Sequence, residues 1–423
     1  MNWVSTLAGV ERLVLFAVAG LSLVLPLSIL RFDSAVFVCF CLIGLVRIEP
    51  APFDVLAMIL LMVGLLTGKL SVRALRGSSF VHLMLWFFLV ASFASLAVTS
   101  AFSDSMRFLM ITVYLIAFAY FVKMYVTSYQ AMRIVMIGYL VSVAINVVLI
   151  ALGYLGISPF SELFLRFGMR AVGAFKDPNV FGPFCVPVLL LLIDEILYPQ
   201  FLPKFFVAKV LGVVVLTVAI FLSFSRAAWV NLAIAIVIYL LLNVNRLFQI
   251  RSSNVLKGGV AILLVAIGGW QVFERLFGKL GLMEFFLWRI SPHDYDVFRF
   301  DRQREGIEAG LTHLFGVGPG AWEYAHSLYV RTFAEHGILG LASILALMGI
   351  LIVTTFRRAL GEVSKPYGLS AKVVVACLVA LALNSLVIDT IHWRHLWLIL
   401  ALAWAVSTYP GPHLPSELRQ AST

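Results

Sequence analysis

The hydrophobic positions of this chain come in long blocks separated by short polar loops. The blocks run to roughly 17–25 residues, the length that carries a helix across the hydrocarbon core of a bilayer. The period-two alternation of a lipid-facing β-barrel is absent. The pattern predicts an all-α, polytopic transmembrane helix bundle, with segments at 12–30, 34–47, 52–68, 79–99, 106–126, 132–154, 180–198, 205–223, 227–246, 257–273, 337–356, 371–389 and 394–409. The second is short for a span, so the expected number is about twelve or thirteen. Residues 1–423 read as a single integral membrane domain, with one large loop, 274–336, inserted between spans. Within that loop the amphipathic stretch Arg299 to Leu311 is expected to form a short helix near the membrane surface. The first block ends without a small-residue cleavage site and reads as a retained helix. The residues from Pro410 onward read as a short polar tail.

Composition agrees with this frame. Of 423 residues 62% are hydrophobic and 12% charged, and the mean hydropathy is +1.02, which leaves too few polar groups to coat a soluble domain. The formal net charge of +10 points to membrane orientation and not to nucleic acid, because the basic residues sit in short loops. Lys69, Arg73 and Arg76, then Lys123 and Arg133, then Lys204, then Arg246, Arg251 and Lys257, then Arg357, Arg358 and Lys365 alternate consistently. All can be cytoplasmic together, which places 155–179, 223–227, 274–336 and 390–393 outside. Cys39, Cys41, Cys185 and Cys377 lie in apolar segments with no metal-ligand spacing and read as small hydrophobes.

Some outward segments break the expected charge pattern. They are Arg170 through Asn179, Ser223 through Arg226, the turn Gly316 to Gly320 with His326 after it, and Asp389 through Arg394. Arg226 is a cation at the outer end of a span, in a loop too short for solvation to explain it. It needs an anionic partner or a water-filled cavity. Its guanidinium fork suits phosphate, and with Arg170 it fits a pyrophosphate; the alternative is a structural ion pair with Asp177 or Asp389. His326 follows a glycine turn, where its side chain can enter a cavity and take a proton from a hydroxyl near neutral pH. The alternative is a structural histidine, with His313 and His336 nearby. Gly316 to Gly320 lacks the Gly-Lys-Ser/Thr of a phosphate loop and reads as a backbone turn. His293 to Asp296 has the look of an acidic metal loop, but no second outer acidic cluster completes an oxygen shell, so a solvated loop is expected and no metal. Asp194 and Glu195 lie near the inner end of their segment and read as interfacial.

The order of these motifs resembles one family. Arg-x-x-Gly-x-Phe-x-Asp-Pro-Asn (170–179) precedes a span, Ser-x-Ser-Arg (223–226) follows it, and then come Gly-x-Gly-x-Gly (316–320), His-Ser-x-Tyr (326–329) and Glu-His-Gly-Ile-Leu-Gly (335–340). This is similar to the bacterial O-antigen ligase and O-antigen polymerase superfamily, most strongly from Arg170 to Leu341. The resemblance implies an inverting, metal-independent membrane glycosyltransferase of the inner membrane, with its active site facing the periplasm and no cofactor. The donor would be an undecaprenyl-pyrophosphate-linked glycan, and the acceptor either lipid A–core, for a ligase, or a second lipid-linked glycan, for a polymerase. On that reading Arg170 and Arg226 hold the pyrophosphate, and His326 activates the acceptor hydroxyl. Lys176, Asp177, Asn179, Ser225, Tyr329 and Arg302 are the expected substrate-binding residues. The chain has His326-Ser327 where the family often has His-Asn.

Two readings of other classes remain. A transporter or flippase for a lipid-linked glycan predicts broken spans near the midplane and basic residues along a path to both faces. A scaffold subunit of an envelope complex would leave Arg226 and His326 without a role.

Overall fold

The computed structural model describes residues 29–157, 160–247, 281–291, 294–361 and 363–411. The expected segment at 257–273, nearly all of that at 12–30, and the tail beyond residue 411 lie outside them. Among the described residues the chain is helical almost throughout: α1 (Phe32–Cys41), α2 (Pro52–Leu66), α3 (Ser79–Leu96), α4 (Phe102–Tyr125), α5 (Tyr129–Tyr154), α6 (Phe160–Phe164), α7 (Pro178–Leu197), α8 (Phe206–Leu222), α9 (Arg226–Leu247), α10 (Leu282–Ile290), α11 (Asp294–Thr312), α12 (Leu328–Leu360), α13 (Ala371–Asn384) and α14 (Arg394–Ser407). The described strands are β1 (Leu165–Arg166) and β2 (Arg170–Ala171), an antiparallel pair pairing Leu165 with Ala171. The protein is all-α and polytopic, as the hydrophobic pattern predicts.

Among the described residues six helices (α3, α4, α5, α7, α9 and α12) are long and apolar enough to cross a bilayer, and α1, α2, α8, α13 and α14 are shorter apolar helices. Local chemistry marks the starts. Ser128 accepts from the Ala131 amide at 3.1 Å to cap α5. Asp177 caps α7 by accepting from the Asn179 amide at 2.8 Å, with Pro178 at the first helical position, where no amide is needed. The Arg299–Leu311 stretch lies within the 19-residue helix α11.

Lipid gives apolar side chains little reason to prefer one another, so the bundle is held by close packing and by hydrogen bonds between helices. Tyr139 on α5 donates to the Phe184 carbonyl on α7 at 2.6 Å. Asn146 takes the Ala174 amide at 2.8 Å, and the Gly44 amide donates to Ser142 at 2.9 Å. Arg394 pairs with Asp54 across 340 positions of sequence, and Tyr114 donates to the same carboxylate at 2.7 Å. Pairs of this kind contribute about 0.6–2 kcal/mol each in a membrane.

The centre of the bundle is α7, α13 and α14, which carry some of the largest fully buried side chains, Trp397 and Trp404 among them. Helices α3 and α9 instead expose apolar side chains such as Trp86, Phe93, Val230 and Val237, as a lipid-facing ring should. α13 and α14 have 14 residues each, about 21 Å of helix against a hydrocarbon core of about 30 Å. Neither helix is long enough to cross that core alone.

Candidate active site at the end opposite the basic loops

Gly173 has φ +61, and a Cβ there would lie 2.5 Å from Asn146 Oδ1, so only glycine lets the 170–179 segment press onto α5. Phe175 is buried against Phe184 (centroids 4.8 Å apart), which anchors the segment before Asp177 and Pro178 start α7. Arg170 is thereby aimed at the neighbouring turn. Its Nε donates to the Ser223 carbonyl at 3.0 Å and its Nη2 to Asn179 Oδ1 at 3.3 Å. This spacing of Arg, Gly, Phe, Asp, Pro and Asn thus has a physical role at each position.

The turn between α8 and α9 is strained at Phe224, a non-glycine residue at φ +47. Ser225, fully buried, accepts from the Ala228 amide at 3.3 Å and caps α9, while Arg226 is the first residue of that helix and half-buried. A third arginine meets the same turn: Arg289 on α10, 8% exposed, donates from Nε to the Phe224 carbonyl at 3.1 Å. Helix α10 is seated there by Phe285 on Phe224 (4.8 Å) and Phe286 on Trp229 (5.0 Å). Sequence reasoning missed Arg289, although a lone cation in the run Phe-Phe-Leu-Trp-Arg-Ile is the signal that could have found it.

His326 lies at φ +49, just before Ser327 caps α12. Gln303 on α11 donates to its carbonyl at 3.2 Å, and Ser327 and the Leu328 amide both donate to the Ser385 carbonyl, at 3.3 and 3.0 Å. These contacts tie the histidine segment to the turn after α13. Its imidazole is half-buried, and its pKa is lowered by burial and then by the charge of Arg299, against the opposing pull of Asp389 and Asp177. That shift favours the neutral form of the ring, in which an imidazole can accept a proton. Residues from three of the segments singled out in the sequence act on this one ring.

The Gly316 to Gly320 turn proves structural. α12 breaks at Gly337 (φ 66, ψ −166), and the carbonyls freed just before the break, Ala334 and Glu335, accept from Val317 and Gly318 amides at 2.9 and 3.2 Å. A Cβ at Gly316 would lie 2.3 Å from the Glu335 carbonyl oxygen. Buried Glu335 also takes the Trp322 amide at 2.9 Å and pairs with Arg331 at 2.9 Å, and Arg331 reaches Asp389 at 2.5 Å.

The remaining expected residues are spread more widely. Lys176 is exposed and pairs with Glu49 at 2.6 Å. Tyr329 donates to the Ala382 carbonyl at 2.8 Å, inside the bundle. Arg302 forms an exposed pair with Glu305 at 2.8 Å. His293 lies outside the described residues, and the side chains of Asp294 to Asp296 with it. Asp194 and Glu195, at the other end of α7, are buried and partnered: Asp194 by Tyr239 (2.9 Å) and Lys365 (2.8 Å), Glu195 by the amides of Gln200, Phe201 and Leu202.

Two of the three arginines, Arg170 and Arg289, donate to carbonyls of the one strained turn that Arg226 follows, while His326 lies within electrostatic reach of Asp177, in the segment that carries Arg170. A search of curated proteins found no match. Residues 211–345 match the family described as O-antigen ligase. The matched stretch contains Arg226, Arg289, His326 and the broken half of α12, while Arg170 and α7 lie before it. The match supports an O-antigen ligase or polymerase type of function in general, in a multi-pass bacterial membrane protein. Over residues 211–345, less than half of its length, this chain is similar to the O-antigen ligase family.

Proposed function

We propose that the protein transfers a glycan from undecaprenyl pyrophosphate to an acceptor sugar at the periplasmic face, by a metal-independent displacement that inverts the anomeric carbon. The observation that carries this reading is the bond from Arg170 to the Ser223 carbonyl, three residues before Arg226. It joins two cation-bearing segments into one cluster suited to a pyrophosphate.

In the reaction the acceptor oxygen attacks the anomeric carbon while His326 takes its proton. The bond from that carbon to the pyrophosphate oxygen breaks, and its electron pair leaves with the lipid pyrophosphate. Arg170 and Arg226 stabilise that developing charge, with the greatest effect in a site poor in water. Asp177 and Asn179 hold the 170–179 segment, and Asn179 also fixes the Arg170 guanidinium. Ser225 acts through the turn it caps. Lys176, Tyr329 and Arg302 are retained as substrate contacts on the resemblance alone. The leaving group is already activated, so the step needs no nucleotide.

The test is transfer by purified protein from lipid-linked glycan, with and without chelator, offering lipid A–core and a second lipid-linked glycan as acceptors. Chelator-resistant transfer that is lost in both Arg226→Ala and His326→Ala is expected. Lipid A–core is the expected acceptor; use of the lipid-linked glycan would make the protein a polymerase. Transfer that survives both substitutions would refute the site. Binding of the donor with no transfer to either acceptor would favour a flippase.

A further inference from the structure

Helix α11 has three kinds of surface. Toward α12 it turns Gly306 and Gly310: a Cβ at Gly306 would lie 2.6 Å from Val330, and one at Gly310 2.5 Å from Phe333, so the two helices touch closely. The far side carries Asp301, Glu305, Glu308 and Thr312, all exposed. Roughly a quarter-turn round from the glycines runs an apolar stripe, Phe300, Ile307 and Leu311, which are 62%, 44% and 73% exposed.

The bilayer is the partner that fits this stripe. From Gly337, where α12 breaks, to Arg357 in its last turn the helix rises about 30 Å, the thickness of the hydrocarbon core. The break therefore marks the level at which acyl chains begin. The chain leaving α11 meets α12 at that level, since the Leu314 carbonyl oxygen is 2.0 Å from where a Gly337 Cβ would stand. Leu314 and Phe315 are exposed, and so are Ile338 and Leu339 just past the break. The stripe thus continues through them onto the outer surface of a span. With lipid on the stripe, the glycine side faces protein and the acidic side faces water, as in a helix lying in the interface against a span. Arg304, within the stripe, can lay its stem on acyl chains and raise its guanidinium to the headgroups, with Glu308 at 3.3 Å on the water side.

We propose that α11 is seated in the headgroup layer on the side of the candidate site, with Phe300, Ile307 and Leu311 among the acyl chains, and that Gln303 makes this contact a positioning device for His326. The seating stands on packing alone, whereas the link to His326 rests on the proposed transfer reaction. Gln303 lies one turn from both Phe300 and Ile307. Its Nε2 donates to the His326 carbonyl at 3.2 Å and to the Leu386 carbonyl at 3.4 Å, which uses both of its hydrogens. His326 stands at φ +49, a backbone conformation that persists only where its surroundings impose it. Gln303 joins the lipid-seated helix to that residue.

The test uses purified full-length protein in nanodiscs of phosphatidylethanolamine and phosphatidylglycerol. The photo-crosslinking residue benzoylphenylalanine is placed at position 300, 307 or 311, and at 305 or 308 for comparison, and adducts are read by mass spectrometry. Lipid adducts at the three stripe positions should exceed those at 305 and 308 at least ~fivefold. Crosslinks to a second copy, no adducts on the stripe, or equal lipid adducts at all five positions would overturn the seating. In the transfer assay, the variant Phe300→Gln/Ile307→Gln/Leu311→Gln, changed only at exposed positions, should lower kcat by about fivefold or more with both KM values retained, as should Gln303→Leu. If the stripe acts through Gln303, the variant combining all four changes should stay within ~twofold of Gln303→Leu. Losses that multiply, or full kcat in the stripe variant, would overturn the link to His326. Stripe adducts without transfer by the wild type would sink the functional reading and spare the seating. Transfer without stripe adducts would sink the seating and spare the reading.

Discussion

Arg331 offers the sharpest test of how the outer part of α12 is held. It is 2% exposed, lies between Glu335 at 2.9 Å and Asp389 at 2.5 Å, and stacks over the Phe108 ring at 5.1 Å. Arg331→Met keeps much of the side-chain length but strands Glu335, which is also 2% exposed and would retain only its backbone amide donors. Removing one member of a buried pair costs about 3–5 kcal/mol, most of it the penalty of the abandoned charge. The double variant Arg331→Met/Glu335→Gln removes that charge while keeping an acceptor for the Trp322 amide, and should recover about 1–3 kcal/mol. The assay is the thermal unfolding midpoint in one detergent and lipid mixture. The single variant should fall by roughly 5–10 °C, with the double variant between it and the wild type. A single variant as stable as wild type, or a double variant below the single, would refute the argument.

Other outcomes follow from the same geometry. The acid limb of the kcat/KM profile should lie below the ordinary histidine value of 6.5, because burial and Arg299 lower the His326 pKa and activity is lost only as the ring protonates. Arg299→Gln should move that limb to higher pH, and a limb that stays in place would count against His326 as the base. Arg226→Ala should lower kcat by about 10²–10³, the range for loss of one charge-stabilising group, with donor binding measured separately by titration. Gly337→Ala would place a Cβ 2.0 Å from the Leu314 carbonyl oxygen at φ +66, so a loss of about 1–3 kcal/mol is expected in the same thermal assay. Glu195→Ala leaves the Gln200, Phe201 and Leu202 amides without their acceptor, and should reduce folded yield without changing the KM for donor.

Much of the bundle was legible because membrane spans announce themselves by length and hydropathy, which are local properties. The Arg170–Asn179 segment was legible for a similar reason: its glycine, cap and proline act on their own neighbourhood. What stayed hidden was pairing at a distance. Arg394 reads as a loop cation until Asp54 is found beside it, and nothing near either residue names the other. Arg289 was obscured by the apolar run around it. The break at Gly337 was invisible because Gly-Ile-Leu-Gly sits well in a long apolar helix, and only the carbonyls taken up by Val317 and Gly318 show why the chain turns there. Tyr329 shows the converse, since a polar tip in a promising motif can be spent on a backbone carbonyl inside the bundle.

The short pair α13 and α14 has a bearing on how the protein senses its lipid surroundings. Both helices are encased by longer neighbours, with α9 and α12 against α13 and α4 and α12 against α14, so protein contacts set the height of the turn between them. The helices α3 and α9 turn apolar side chains outward and pack inward on α12 and α13. Thickening the bilayer would then lift the headgroups relative to that turn, and with them the lipid-linked donor of the proposed reaction. The reaction rate of this protein should accordingly peak at one acyl-chain length and fall on either side of it.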